Sequence, residues 1–201
     1  MKKLDKSILI PVIIAIILLI ALFSYLALQW KNNPKKVESV KPVAISEYAN
    51  RDTTVSYLVD GIINGDESHR AIRITVSKNN RLLEILSGYQ YTPIESFSYT
   101  NNVAAYKPFL ASLEVAGFTK EKSNPKITNP EGTCPLGNRY FFSSTGIPEI
   151  SSSLWSSNCT SPGLFMNRSA QGTFNGNLKT IQQLFENQIP GYSAITKNVK
   201  L

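Results

Sequence analysis

The chain predicts an α+β protein: an N-terminal transmembrane helix followed by a two-layer domain, a mainly antiparallel sheet with two helices on one face. Three observations predict it. Residues 8–28 are twenty-one consecutive residues without a charge. Between Val55 and Tyr99 apolar and polar residues alternate with a period of two, as in strands with one dry and one wet face. Two later stretches repeat apolar residues at i, i+3, i+4 and i+7, the spacing of a helix that buries one stripe.

The uncharged run comes first. At a rise of about 1.5 Å per residue it reaches roughly 30 Å, the thickness of a bilayer's hydrocarbon core. It is too long for the apolar region of a cleaved signal peptide, and Gln29 stands where a cleavage site needs a small residue. No cysteine precedes Cys134, which excludes a lipid-modified N-terminal cysteine. An uncleaved signal-anchor is expected: residues 1–7 as a cytoplasmic tail, 8–29 as the transmembrane helix in contact with the lipid bilayer, 30–48 as a juxtamembrane linker and 49–201 as an extracytoplasmic α+β domain. Lysines flank both ends, Lys2, Lys3 and Lys6 before the run and Lys31, Lys35, Lys36 and Lys41 after it, so their count does not set the orientation. The short tail and the cysteines favour a single-pass protein of the cell membrane, N-terminus inside and C-terminal domain outside.

The net charge is +7, of which residues 1–47 carry +4 and residues 48–201 only +3, spread along the chain. A juxtamembrane excess suits anionic headgroups. Nucleic acid is not an expected partner, because no basic, aromatic-studded stripe lies in the folded part.

Residues 32–47 mix Pro, Lys and Ser without periodicity and read as a tether. Tyr57, Val59 and Ile62 then precede Asn64-Gly65-Asp66, a tight-turn signal. Ile72, Ile74 and Val76 alternate with Arg73, Thr75 and Ser77 as the clearest strand. Beyond the polar turn Lys78-Asn79-Asn80-Arg81, a third strand covers Leu82 to Tyr91. Ile94 to Tyr99 either extends the meander or is loop, since Pro93 removes a ladder donor. Asn101 or Asn102 caps a helix that buries Tyr106, Phe109, Leu110 and Leu113 and ends at Gly117. Pro108 demands a kink there or a regular start near Lys107. Residues 119–133 read as loop.

Arg139–Ser143 and Glu149–Ser156 are strand-like around Thr145-Gly146-Ile147-Pro148. Cys134 and Cys159 lie twelve residues outward from Gly146 and Ile147 respectively. If the turn centres there and no bulge shifts the register, the two face each other and form a disulfide, which needs an oxidising compartment. Leu178, Ile181, Leu184, Phe185 and Ile189 form the stripe of a last helix that Pro190-Gly191 ends. Residues 192–201 show no pattern.

Catalytic, cofactor and metal motifs are absent from the sequence. His69 lies beside Asp66 and Glu67 and reads as a solvated turn residue. The serines of 151–153 and 156–157 lack a G-x-S-x-G elbow, and Asp60, Asp66 and Glu67 lack calcium-loop spacing. Aromatic residues remain: Tyr89, Tyr91 and Trp155 are the candidate binding surface, their other reading being core.

The segments GIINGDESHRAIRITVS, AYKPFLASLEVAGF, GTCPLGNRYFF, LWSSNC and GTFNGNLKTIQQLFENQIPGY resemble uncharacterised single-pass membrane-anchored proteins of small-genome, host-associated bacteria such as Saccharibacteria. The resemblance implies a single span and an extracytoplasmic domain, and no activity. The order of hairpin, helix and disulfide-bearing strand pair is also similar, in fold only, to subtilisin inhibitors. The expected function is a membrane-anchored envelope or surface module, non-enzymatic, that binds a protein or glycan partner and needs no cofactor. The alternatives are an envelope-acting enzyme or protease-inhibitor-like domain, and a minor pilin-like subunit, although no Gly precedes the apolar run and no Glu lies within it.

Overall fold

The computed structural model describes residues 6–32, 43–148, 153–159 and 171–201, and the chain forms two compact units, Met1–Lys41 and Pro42–Leu201. In the first, helix α1 spans Lys6–Asn32. Pro11 sits near its start, where a missing N–H disturbs few helical bonds. Its described apolar side chains are exposed: Ile16, Leu18, Leu22 and Phe23 each leave more than half their surface uncovered. Among the described residues no helix is long and apolar enough to cross a membrane. Of α1 the side chains described are Pro11 and 15–28, short of the roughly 20 residues a span needs.

The second unit is built on one six-stranded sheet, antiparallel throughout, in the order β4-β3-β2-β1-β5-β6. Its strands are β1 Thr54–Asp60, β2 Arg70–Ser77, β3 Asn80–Ser87, β4 Thr92–Thr100, β5 Arg139–Thr145 and β6 Leu154–Ser157. The period-two pattern does what it predicts: Val55, Tyr57 and Val59, Ile72, Ile74 and Val76, and Leu83, Phe142 and Leu154 all turn to one buried face. Helices α2 (Val103–Val115) and α3 (Leu178–Glu186) cover that face with Tyr106, Phe109, Leu110 and Leu113 and with Ile181 and Phe185. The Phe185 ring is central, 5.5 Å from Tyr57, 5.4 Å from Phe109 and 5.9 Å from Phe118 between centroids. Each such buried side chain contributes about 1.5–3 kcal/mol of transfer free energy.

Several details depart from expectation. β1 and β2 pair, but no tight turn lies at Asn64-Gly65: a loop containing a 3-10 turn, Asp66–Ser68, joins them, and Gly65 is extended at φ −63°. β4 does extend the meander, because Pro93 lies on an edge strand whose pairing shifts opposite Ile85/Leu86 and leaves Ile94 without a partner in the ladder. α2 neither stops nor restarts at Pro108. It begins at Asn102, whose Oδ1 accepts the Ala105 N–H at 2.9 Å, and the buried stripe outweighs one lost helical bond. Gly117, at φ +82°, follows its end as expected. Ile45, Tyr48 and Ala49 belong to the core, so the folded unit starts before residue 49 and takes in the end of the expected linker. A short helix α4, Tyr192–Thr196, follows left-handed Gly191, and Ile195 and Val199 lean on the core.

The disulfide Cys134–Cys159 is formed, with Cα atoms 5.5 Å apart. It does not arise from the expected ladder symmetry. β5 and β6 pair Phe142 with Leu154 and Arg139 with Ser157, three residues out of step with it. The offset is absorbed before β5 begins: Cys134 is left-handed at φ 52°, and the Gly137 N–H closes a turn onto its carbonyl at 3.2 Å. Glu149 to Ser152, the first half of the strand expected there, lie outside the described residues.

Candidate binding site at the end of β1

Asp60 ends β1, Arg139 opens β5, and the ladder sets them directly opposite. Their side chains meet on the sheet face away from the helices, with Arg139 Nη2 2.6 Å from Asp60 Oδ2. His69, immediately before β2, brings Nε2 to 2.7 Å from Asp60 Oδ1 and turns Nδ1 to the Ile62 carbonyl at 3.2 Å. Arg139 Nη2 also donates to the Gly61 carbonyl at 3.3 Å. All three side chains are buried, His69 completely. A buried carboxylate is tolerable only with this many donors around it. One polar atom is left over: Arg139 Nε is buried without a hydrogen-bond partner.

The turn between β3 and β4 closes over the cluster. The Tyr89 ring stacks on the His69 imidazole, centroids 4.1 Å apart at 15°. Its N–H donates to Asp66 Oδ1 at 2.7 Å, and its phenol donates to the Asn64 carbonyl at 2.8 Å. Tyr91 lines the same depression as Asp60. Burial first, then the negative charge of Asp60, pushes its phenol up to about 12. Its backbone is left-handed at φ 53°, a conformation that costs a non-glycine residue about 1 kcal/mol or more. Between this turn and residues 130–132 lies a depression of about 450 Å³, walled by Tyr89, Tyr91, Ile63, Glu131 and Phe141 with Asp60 and Arg139 in its floor.

His69 is therefore not the solvated turn residue that its neighbours suggest. It lies at the foot of a strand, where the covering turn excludes water. Of the candidate surface, Tyr89 and Tyr91 come together and are partly exposed, whereas Trp155 is buried elsewhere on β6, its indole N–H given to the Thr128 carbonyl at 2.8 Å. The sequence raises Asp60 only as a calcium-ligand candidate and does not single out Arg139; the trace of their pairing is that each charge adjoins an apolar strand pattern at an end. Both His69 nitrogens face protein oxygens and its ring is sealed, so it has no free nitrogen with which to serve a substrate as base. Among the described residues no group of three His, Cys, Asp or Glu side chains can hold a metal ion. The arrangement offers a small, aromatic-walled surface over an ionic floor in which Arg139 Nε is left without a partner.

No protein-family model matches the chain, and no curated protein matches it significantly.

Proposed function

We propose that the chain is a membrane-anchored, extracytoplasmic, non-enzymatic module that seats a protein or glycan partner against Tyr89 and Tyr91. The observation that carries the reading is the pinning of these two tyrosines. One is stacked on a buried imidazole and the other is held in a left-handed conformation over a buried carboxylate, and both remain partly open to the depression. Rings ordered before contact lose little freedom on binding, which is how a small surface gains affinity. A tyrosine presents an apolar face to a sugar ring or an aliphatic side chain and a hydroxyl to its polar groups. The anchor is supported by the uncharged run 8–28 and by the exposed apolar side chains along α1. The outward orientation is supported by the disulfide, which persists in oxidising compartments.

The test uses the full chain in lipid nanodiscs, offered immobilised envelope polysaccharides and purified surface proteins. Tyr89→Ala and Tyr91→Ala should each weaken capture at least about tenfold. Capture unchanged in both variants would remove the tyrosines from the reading. Retention of the chain in membranes after alkaline extraction, together with labelling of reduced Cys134 and Cys159 by an impermeant thiol reagent on intact cells, would test anchor and orientation; labelling only after lysis would reverse the orientation.

A further inference from the structure

Two groups that line the depression beside Tyr89 and Tyr91 have unused hydrogen-bonding capacity, and they are of opposite kind. Arg139 gives Nη2 to the Asp60 carboxylate and the Gly61 carbonyl, while Nε, on a side chain 6% exposed, has no acceptor. A buried N–H of this kind marks a position where an oxygen from outside the chain completes the structure. Glu131 supplies the reverse. It is exposed on the facing wall, and among the described residues its carboxylate makes no ion pair. That wall is set in place: the Glu131 N–H donates to Asn129 Oδ1 at 3.0 Å, Asn129 Nδ2 to Glu131 Oε2 at 3.4 Å, and the Thr133 hydroxyl to the Pro130 carbonyl at 2.7 Å.

Charge and shape then narrow what fits. Asp60 and Arg139 cancel each other at 2.6 Å, so the lining keeps one negative charge, that of Glu131. A carboxylate or phosphate is repelled by it, and an ammonium has no lone pair to offer Arg139 Nε. A peptide carbonyl accepts but has no proton to give Glu131. A hydroxyl does both, accepting from an N–H and donating to a carboxylate. The aromatic walls Tyr89, Tyr91 and Phe141 ask for an apolar face next to those hydroxyls. A neutral sugar ring has hydroxyls around its edge and C–H bonds on its face.

We propose that the depression is a subsite for an uncharged sugar residue, with one hydroxyl accepting from Arg139 Nε, another donating to Glu131, and the C–H face of the ring against the tyrosines. The proposal rests on the role given above to Tyr89 and Tyr91, and it narrows their partner from a protein or glycan to a glycan of neutral residues.

The probe is an array of neutral hexose and N-acetylhexosamine oligosaccharides, matched oligosaccharides containing uronic acids, and a peptide library, all offered to the full chain in nanodiscs. Neutral sugars should be captured saturably, and the acidic ones at least about tenfold more weakly. Glu131→Gln, at an exposed position, removes the charge and keeps the shape, so it should close most of that gap. Arg139→Lys keeps a charge for Asp60 but lacks Nε, and it should weaken neutral-sugar capture at least about tenfold. Fluorescence of buried Trp155 reports whether that variant is folded, and Glu131→Gln decides alone if it is not. Acidic sugars held as tightly as neutral ones, or a gap that Glu131→Gln leaves unchanged, would overturn the proposal. Capture of peptides alone, lost in Tyr89→Ala, overturns it and leaves the tyrosine surface standing. Sugar capture that neither Tyr89→Ala nor Tyr91→Ala weakens, or no capture of any probe, overturns both.

Discussion

Asp60 and Arg139 form a buried ion pair across β1 and β5, 2.6 Å apart and each less than a tenth exposed. The pair is stable because the carboxylate also meets His69, at 2.7 Å. The cluster therefore joins the start of β2, the turn before β4 and the start of β5 at one point.

Removing one partner should cost far more than removing both. Asp60→Asn leaves a buried guanidinium without its counter-charge, and a loss of about 3–5 kcal/mol is expected. Replacing the pair together, as Asp60→Leu with Arg139→Met, should recover a large part of it, since neither charge then has to be desolvated. Chemical denaturation of the full chain in micelles, followed through buried Trp155, measures both. A double variant as unstable as the single one would show that the other groups left without a partner, His69 Nε2 first, cost as much as the unpaired charge.

Reduction of Cys134–Cys159 should lower stability by about 3 kcal/mol, the entropy returned to the unfolded chain when a loop of 25 residues is opened. The folded unit keeps its core, so the reduced chain should still fold and unfold at a lower denaturant midpoint. Paired denaturation curves with and without reductant decide it, and coincident curves would contradict the prediction.

Alkaline pH should destabilise the folded unit from about pH 10 upward. Burial raises the phenol of Tyr57 strongly, and it pushes Tyr91 and Tyr192 up to about 12. Below about pH 10 folded and unfolded chains alike keep these protons, and the stabilisation is complete. As pH rises from about 10 to 12 the unfolded chain releases protons that the folded chain retains, so stability falls across that window. Phenolate absorbance should accordingly rise in two stages, the second coinciding with unfolding. A single stage centred near 10 would show these phenols to be as accessible as a free tyrosine.

Most of the sheet and both covering helices were legible because burial leaves a period: Ile72, Ile74 and Val76 at two, Tyr106, Phe109, Leu110 and Leu113 at helical spacing. The disulfide partners were legible as well, though by a symmetry that the ladder does not obey. What was not legible is what depends on contacts between distant residues. His69 beside Asp66 and Glu67 reads as polar surface, and only the folding of Tyr89 over it makes it interior. The Asp60–Arg139 pair spans 79 positions and has no local periodicity to betray it. Ile45 and Tyr48 look like linker because a 3-10 turn of four residues is too short to show a period.

Tyr91 separates architecture from recognition. Its left-handed backbone, at φ 53°, costs a tyrosine about 1 kcal/mol or more that glycine would not incur. Tyr91→Ala loses the ring and keeps the strained backbone; Tyr91→Gly loses the ring and relieves the strain. The glycine variant should therefore be more stable than the alanine variant by about 1 kcal/mol. Partner binding should not follow that order, because both variants lack the ring. If binding instead tracks stability across the two, Tyr91 acts by holding the turn in place, and the contact surface reduces to Tyr89 and its neighbours.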